Sequence, residues 1–207
     1  MMQIFADIAQ GTPEWFACRA GIPTASKFAT VMAKGAGKTR SEYMRKLAGE
    51  IITGESAEQF SNVHTDRGNA MENEARQTYQ FVNEADLTPV GFIRNGQKGA
   101  SPDCLVGNDG GLEIKTALPH IQIDRLERSR LPPEHVAQVQ GNIWIAEREW
   151  WDFVSYWPRL PILQVRVYRD NEYIKAMSDE IDLFNDELAA MVERIRNYGI
   201  DQKEEAA

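Results

Sequence analysis

Two carboxylates and a lysine stand close together in the middle of the sequence. Asp103 follows Pro102, and Glu113 and Lys115 alternate with apolar residues a little further along. Because successive side chains of a strand point to opposite faces, Glu113 and Lys115 should share one face. The turn-forming stretch 108–111 should let Asp103 fold back towards Glu113. The pattern therefore predicts two carboxylates and an ammonium group at one point of a sheet.

These groups suit the hydrolysis of a phosphodiester. Carboxylate oxygens bind Mg²⁺ or Mn²⁺, which would polarise the phosphate and lower the pKa of an attacking water. Lys115 could orient or deprotonate that water and offset charge on the phosphate. The alternative is a surface strand with an ordinary Glu–Lys pair. The Pro102-Asp103 pair at hairpin distance favours the catalytic interpretation.

Hydrophobic periodicity predicts the elements that would position these groups. Helices are expected from near Thr24 or Ser26, from an N-cap at Ser41 to just before Gly54, and over about 67–85, 133–149 and 171–197. The segments 88–94, 99–107 and 111–117 are expected to be antiparallel strands, and 150–157 and 160–169 two more strands. This order predicts an α/β fold with a central mixed β-sheet flanked by helices.

Length and composition are those of an ordinary protein of one domain, spanning residues 1–207. Of these residues, 43% are hydrophobic and 26% charged, enough for a sizeable core. The start lacks the pattern of a signal peptide and no run of about 18 apolar residues occurs, so we expect a cytoplasmic location. Cys18 and Cys104 are expected to be thiols.

The net charge of −8 at first argues against a nucleic-acid partner, whose affinity comes mainly from Lys and Arg. From Asp170 onwards, however, eleven acidic and four basic residues give −7, so the acidic C-terminal helix from about 171 carries most of it. The remaining body is near neutral. Two basic clusters within it are candidate DNA-backbone contacts, or else solvated surface charge: Lys34, Lys38, Arg40, Arg125, Arg128 and Arg130.

Five segments, in order, resemble the PD-(D/E)xK nuclease superfamily and, more narrowly, the lambda exonuclease and YqaJ-like viral recombinases. They are EWFACRAGIPTAS at 14–26, RGNAMENEAR at 67–76, SPDCLV at 101–106, LEIK at 112–115 and HVAQVQGNIWI at 135–145. Together they reach across most of the chain, whereas the stretch 53–66 matches weakly. The resemblance implies a restriction-endonuclease-like PD-(D/E)xK nuclease core.

The resemblance also implies a role for each matched acidic residue. Asp103 and Glu113 would ligate Mg²⁺ or Mn²⁺, with the backbone carbonyl of Ile114 as a third ligand. Glu72 would complete the site for a second ion or its waters, although by its acidic neighbours alone it would be placed on a solvated helix face. Lys115 would act on the nucleophilic water.

Three further matched residues would bind phosphate or water. Gln138 would position water or the scissile phosphate, and Gln140, two residues along the same helix, should face another way and be structural. Arg19 and Ser26 would hold a terminal 5′-phosphate, for which a guanidinium fork is suited. The alternatives are an Arg19–carboxylate pair and a helix cap at Ser26. His135, one turn before Gln138, could lie near the site.

The implied activity is a Mg²⁺-dependent 5′-to-3′ exonuclease, with two ions per site. It would digest one strand of linear duplex DNA from a 5′-phosphorylated end to mononucleotides, leaving 3′ single strands for phage-type annealing recombination. A homotrimeric ring, a single-strand annealing protein as partner, and a phage or prophage gene in a bacterial host are also implied. The alternatives are an inactive module that binds DNA ends or a recombination partner, and an endonuclease of the same superfamily.

Overall fold

The structure is a computed structural model that describes residues 1–33, 37–57 and 66–198. Its strands are β1 (Met2–Phe5), β2 (Leu87–Pro89), β3 (Phe92–Asn95), β4 (Lys98–Ala100), β5 (Cys104–Val106), β6 (Gly110–Thr116), β7 (Trp150–Tyr156) and β8 (Leu163–Tyr168). Its helices are α1 (Pro13–Arg19), α2 (Phe28–Met32), α3 (Lys38–Thr53), α4 (Asp66–Asn83), α5 (Pro119–Arg128), α6 (Val136–Ala146) and α7 (Asn171–Arg196). Lys34 lies outside the described residues, as does 58–65 within the weakly matching stretch.

The strands form two sheets. The larger has the order β2-β5-β6-β7-β8 and is mixed, because β6 and β7 run parallel while the other neighbours are antiparallel. The smaller sheet is antiparallel, in the order β1-β3-β4. The predicted mixed sheet flanked by helices is confirmed. Two segments predicted as single strands, 88–94 and 99–107, are each divided between the two sheets. The first is divided at Gly91, where an added Cβ would lie 1.8 Å from the carbonyl oxygen of Ile8.

Strand β6 is buried on both faces. Leu112 and Ile114 pack with Ala75 and Tyr79 of α4, so this face lies in a core, as the alternation predicts. Glu113 points the other way, towards α6. The connection from β6 to its parallel neighbour β7 runs through α5 and α6, which is the usual way to join parallel strands.

The paired glycines at the start of β6 serve close packing. We expected the stretch 108–111 to supply positive φ angles for a turn, but the positive φ falls on Gly107, at 51°. A Cβ on Gly110 or on Gly111 would lie 2.2 Å from the ring of Trp150 or of Trp151, respectively. Glycine is therefore needed at both positions because two indole rings of β7 cover the strand.

Helix α7 is part of the main core. Its buried residues recur every three or four positions and pack against α2, α3 and α6. They are Ile174, Met177, Ile181, Phe184, Leu188 and Val192. Asp170 caps the helix by accepting hydrogen bonds from the backbone amides of Glu172 and Tyr173. The acidic helix predicted from about 171 is present, and its charged residues lie on the outward face.

Two helices were not predicted. At α1, the side chain of Thr12 accepts a hydrogen bond from the Trp15 amide and Pro13 occupies the first turn, so a helix begins well before the expected start near Thr24. Thr24 makes no side-chain cap, and a 3₁₀ turn at Ala25–Lys27 leads into α2. Helix α5 was missed, and a second 3₁₀ turn at Pro133–His135 delays the start of α6.

Both cysteines, Cys18 and Cys104, are free, as expected. Among the helices of the described residues, none combines the length and the apolar character that a membrane span requires.

Candidate active site

Asp103 lies just before β5 and reaches across the hairpin to β6. Its Oδ2 accepts a 2.5 Å hydrogen bond from the backbone amide of Ile114. Burial raises the pKa of Asp103 well above its usual value, and the nearby carboxylates of Glu113 and Glu72 raise it further. The structure thus places Asp103 against β6 and within electrostatic range of Glu113 and Glu72.

Glu113 is a buried carboxylate, 3% exposed, whose two oxygens have different partners. Oε1 lies 2.6 Å from Nζ of Lys115 and accepts a 2.6 Å hydrogen bond from Nε2 of Gln138. Oε2 accepts a 3.0 Å hydrogen bond from Nδ2 of Asn142. Since a buried polar group is costly without partners, these three donors satisfy the Glu113 carboxylate in its buried position.

Lys115 carries an ammonium group at neutral pH. Burial lowers the pKa of Lys115, but the negative charges of Glu113, Asp103 and Glu72 outweigh it, and the pKa is raised overall. Of the two roles left open by the sequence, this direction favours a lysine that orients water and offsets phosphate charge. A lysine acting as a base would need a lowered pKa.

Glu72 lies on α4, and its side chain is 28% exposed. One turn further along, Arg76 forms a 2.8 Å ion pair with it. The charge of Glu72 raises the pKa of both Asp103 and Lys115, so it belongs to the same electrostatic cluster. The solvated-face alternative for Glu72 therefore does not describe its surroundings.

The donor set fits one hard divalent cation that keeps several waters. Mg²⁺ in proteins is commonly held by one or two carboxylates, with water and substrate oxygens completing its shell. Asp103 and Glu113 supply two carboxylates, and the mutual repulsion that raises the pKa of Asp103 would be relieved by a cation. Within the described residues no three acidic, His or Cys side chains cluster tightly enough to hold a metal by themselves. A second ion would require Glu72, which is paired with Arg76.

The two glutamines of α6 face different parts of the molecule. Gln138 donates to Glu113, as described. Gln140 donates a 2.9 Å hydrogen bond to the carbonyl of Tyr168 and accepts a 3.1 Å hydrogen bond from the Asp170 amide, so it joins α6 to the β8–α7 connection. This is the division expected from their spacing. Asn142 was missed, although its position four residues after Gln138 places it on the same helix face.

Arg19 is held above the aromatic ring of Trp15. Its guanidinium lies 4.1 Å from the ring centroid of Trp15. The indole of Trp15 donates to the Gly91 carbonyl at 2.9 Å and to the Ser101 hydroxyl at 3.1 Å. Because Ser101 is two residues before Asp103, the platform of Arg19 is tied to the loop that carries a candidate metal ligand.

A small depression beside Arg19 gathers further cations. Lys27 and Lys46 line it, together with Thr24, Tyr43 and Glu50. The carboxylates of the candidate site are not part of its lining. Ser26 is exposed next to it, with Oγ 3.4 Å from the hydroxyl of Thr24. The two lysines come from separate segments and carry no motif, so only the fold could reveal them.

The basic clusters separate into buried and exposed members. Arg40 binds Glu187 at 2.7 Å and the Val31 carbonyl at 3.2 Å, with a side chain only 15% exposed. Arg125, 12% exposed, donates to the Ser155 hydroxyl at 3.0 Å. These internal partners argue against the predicted DNA contacts of both arginines. The exposed members of the clusters are Lys38, Arg128 and Arg130.

Comparison with known proteins identifies a family and similar structures. Residues 14–149 match the model of the YqaJ-like viral recombinase domain. The alkaline exonuclease LHK-Exo from Laribacter hongkongensis, also solved in complex with dAMP, is 35% identical, with a TM-score of 0.84 over 92% of this chain and 100% of that chain. A phage-related exonuclease from Haemophilus somnus 129PT shares the fold, with 16% identity and a TM-score of 0.65 over 84% of this chain and 96% of that chain.

No protein of curated function matches the sequence significantly. The family match and the LHK-Exo similarity confirm the resemblance indicated by the five ordered segments. The chain belongs to the family of the YqaJ-like viral recombinase domain.

Proposed function

We propose that this protein is a Mg²⁺-dependent 5′-to-3′ exonuclease. It digests one strand of linear duplex DNA from a 5′-phosphorylated end to mononucleotides and leaves 3′ single-stranded DNA. The observation that carries the proposal is the cluster of Asp103, Glu113 and Lys115 on one hairpin, in which two carboxylates repel each other beside a protonated lysine. The similarity to LHK-Exo, whose structure is named as that of an alkaline exonuclease, supports it.

The residues of the hairpin divide the chemistry among them. Mg²⁺, or Mn²⁺ in its place, would supply Lewis-acid polarisation of the scissile phosphate and a lower pKa for the attacking water. Asp103 and Glu113, with the Ile114 carbonyl, would hold it. The ammonium of Lys115 would orient the attacking water and offset the charge on the phosphate. The water would lose its proton to solvent as its oxygen bonds to phosphorus, and the P–O3′ bond would break, with the leaving oxygen taking a proton from solvent. Gln138 keeps Glu113 in place through Oε1.

The depression beside Arg19 is the proposed site for the terminal 5′-phosphate. Its three cations, Arg19, Lys27 and Lys46, match the charge of a phosphate dianion. Stacking on Trp15 fixes the plane of the Arg19 guanidinium, which reduces the entropy lost on binding. Thr24 lines the depression, and the Ser26 hydroxyl lies 3.4 Å from the Thr24 hydroxyl, next to the proposed phosphate site.

The part of the protein before Asp170 is nearly neutral, so attraction between charges alone would hold DNA weakly. We therefore include a homotrimeric ring in the proposal, because a ring that encloses DNA retains it without depending on charge. Sedimentation of the full chain tests this oligomeric state.

The product would serve a single-strand annealing protein in phage or prophage recombination within a bacterial cytoplasm. The exposed acidic face of α7 is the proposed docking surface. Charge reversal at Glu180 and Asp186 should abolish co-purification of that partner; retention would refute this surface.

A digestion series tests the activity itself. Duplexes with a 5′-phosphate, with a 5′-hydroxyl, and closed into a circle are each incubated with and without Mg²⁺. We expect nucleotide release that requires Mg²⁺, is fastest from the 5′-phosphorylated end and is absent from the circle. Cleavage of the circle would indicate an endonuclease instead. Binding of linear ends without any nucleotide release would indicate an inactive binding module.

A further inference from the structure

The Glu113 carboxylate offers unequal oxygens to a cation. A carboxylate has about four lone-pair sites, two on each oxygen. Both sites of Oε1 are taken, by Lys115 and by Gln138, each at 2.6 Å. Among the described residues, Oε2 accepts a hydrogen bond from Asn142 alone, at 3.0 Å, and so keeps one site. A cation can therefore bind Oε2 without displacing any of these three donors.

Asn142 is placed where it can fix that remaining site. It is 1% exposed, on a helix whose other buried residues are mostly apolar. A buried amide is costly without a partner, and its Nδ2 is directed at Oε2 of Glu113. The last torsion of a glutamate side chain is broad, so the plane of its carboxylate is set by its hydrogen bonds. With Gln138 on one oxygen and Asn142 on the other, rotation of the Glu113 carboxylate is blocked from both sides.

We infer that Asn142 is a positioning residue, which turns the Glu113 carboxylate so that Oε2 binds the cation through a single oxygen. The inference rests on the proposed metal-dependent function. It adds Asn142 to the residues that shape the metal site, although Asn142 would contact neither the cation nor the DNA. Outer partners of metal ligands act in this way elsewhere, and their loss typically weakens metal binding by about 10- to 100-fold.

Gln140 provides a matched control. It is a buried amide on the same helix, 4% exposed, and it also makes specific hydrogen bonds, but to the backbone of Tyr168 and Asp170. Substitution of either amide should destabilise the fold by a similar mechanism. Only the substitution at Asn142 should change the metal site.

The test measures Mn²⁺ binding to the full-length protein without DNA, from the electron paramagnetic resonance signal of free Mn²⁺. Asn142→Ala and Asn142→Leu are compared with wild type and with Gln140→Ala, and thermal unfolding is recorded for each. The leucine variant keeps the number and branching of the side-chain heavy atoms in case the alanine variant folds poorly. We expect the Mn²⁺ dissociation constant to rise about tenfold in both Asn142 variants and to stay within about twofold in Gln140→Ala.

Three results would count against the inference. If wild type binds Mn²⁺ and the Asn142 variants bind it equally well, Asn142 does not position Glu113, while the proposed function stands. An equal loss in Gln140→Ala would show a general effect of destabilisation and overturn the inference as well. If wild type itself binds no Mn²⁺, the inference and the metal-dependent function fail together.

Discussion

The hydroxyl of Tyr79 donates a 2.6 Å hydrogen bond to Oδ2 of Asp152, and this bond joins α4 to the middle of the five-stranded sheet. Asp152 is fully buried and also accepts hydrogen bonds from the Arg166 guanidinium and from Gln164. Tyr79 lies about two helical turns after Glu72 on α4. The bond therefore fixes where Glu72 lies along the sheet.

Removal of the acceptor, Asp152, and removal of the donor hydroxyl of Tyr79 should lower the free energy of unfolding by different amounts. Asp152→Ala should lower the free energy of unfolding by about 3 kcal/mol, the low end for a broken buried ion pair, because Arg166 partly reaches solvent. Tyr79→Phe should cost about 1 kcal/mol, since the carboxylate keeps its other donors. Urea unfolding measures both, with the exposed Asp179→Ala as control. Equal costs would contradict the network described.

Replacement of Glu113 or Lys115 by alanine should abolish digestion of a linear duplex while the fold survives. We expect the rate to fall by at least about 100-fold, because each residue acts directly at the proposed reaction. Initial rates and circular dichroism are the measurements. Lys175→Ala, an exposed lysine paired with Asp179 on α7, should leave the rate unchanged. Near wild-type rates in both variants would refute the mechanism.

Arg19→Ala should remove the preference for a 5′-phosphorylated end. A charged hydrogen bond contributes about 1.5 to 3 kcal/mol, so the ratio of rates on 5′-phosphate and 5′-hydroxyl duplexes should fall by about 10- to 100-fold. The rate on the 5′-hydroxyl duplex should change little. Arg128→Ala, paired with Asp124 on the surface, is the control and should keep the ratio. An unchanged ratio in Arg19→Ala would place the phosphate elsewhere.

Arg40 and Lys38 should behave in opposite ways although they are two residues apart. Arg40→Ala should lower stability by about 1 kcal/mol, because it loses its bonds to Glu187 and Val31, and should leave DNA affinity unchanged. Lys38→Ala, at a side chain 88% exposed, should leave stability unchanged and reduce the salt dependence of DNA binding. Urea unfolding and binding at several salt concentrations separate the two. A weaker salt dependence in Arg40→Ala would be the contrary result.

His135 should make stability depend on pH in the acidic range. Burial and the positive charges of Lys115 and Arg125 lower the pKa of His135 to about 4 from its ordinary 6.5. The unfolded chain therefore takes up a proton between these values that the folded protein does not. The contribution of neutral His135 to the free energy of unfolding is therefore fully present above pH 6.5 and is lost as the pH falls towards 4.

We expect this loss to be about 1 to 2 kcal/mol, allowing for solvent screening of a partly exposed ring. Urea unfolding from pH 4.5 to 7.5 should show a shallower slope for His135→Gln than for wild type. His120→Gln, at an exposed position at the start of α5, serves as the control and should keep the wild-type slope. Identical slopes in wild type and His135→Gln would mean that this histidine is not the source.

The sequence contained enough information to predict the hairpin of the candidate active site but not everything around it. Period-two alternation located Glu113 and Lys115, since local backbone geometry decides which face a strand residue occupies. Helix α1 was missed because its cap at Thr12 lies in a stretch without apolar periodicity. Two predicted strands, 88–94 and 99–107, are divided between the sheets. The division of the first depends on the approach of Ile8 to Gly91, a contact between residues 83 positions apart that no local pattern encodes.

The residues around the site show the same limit. Spacing alone separated Gln138 from Gln140, because two residues on a helix point in clearly different directions. The internal partners of Arg40 and Arg125 come from α7 and β7, far along the chain, and turned two expected surface charges into structural ones. Asn142, Lys27 and Lys46 likewise became visible only when the fold placed them beside their partners.

The parallel pairing of β6 with β7 has a consequence for shortened versions of the protein. The family resemblance ends at residue 149, just before β7, whose residues 152–156 pair with Leu112–Thr116. A fragment that stopped there would leave β6 with an open hydrogen-bonding edge, which invites strand addition by another molecule. Such a fragment should aggregate. The strand that carries Glu113 and Lys115 would be the one on which the aggregate grows.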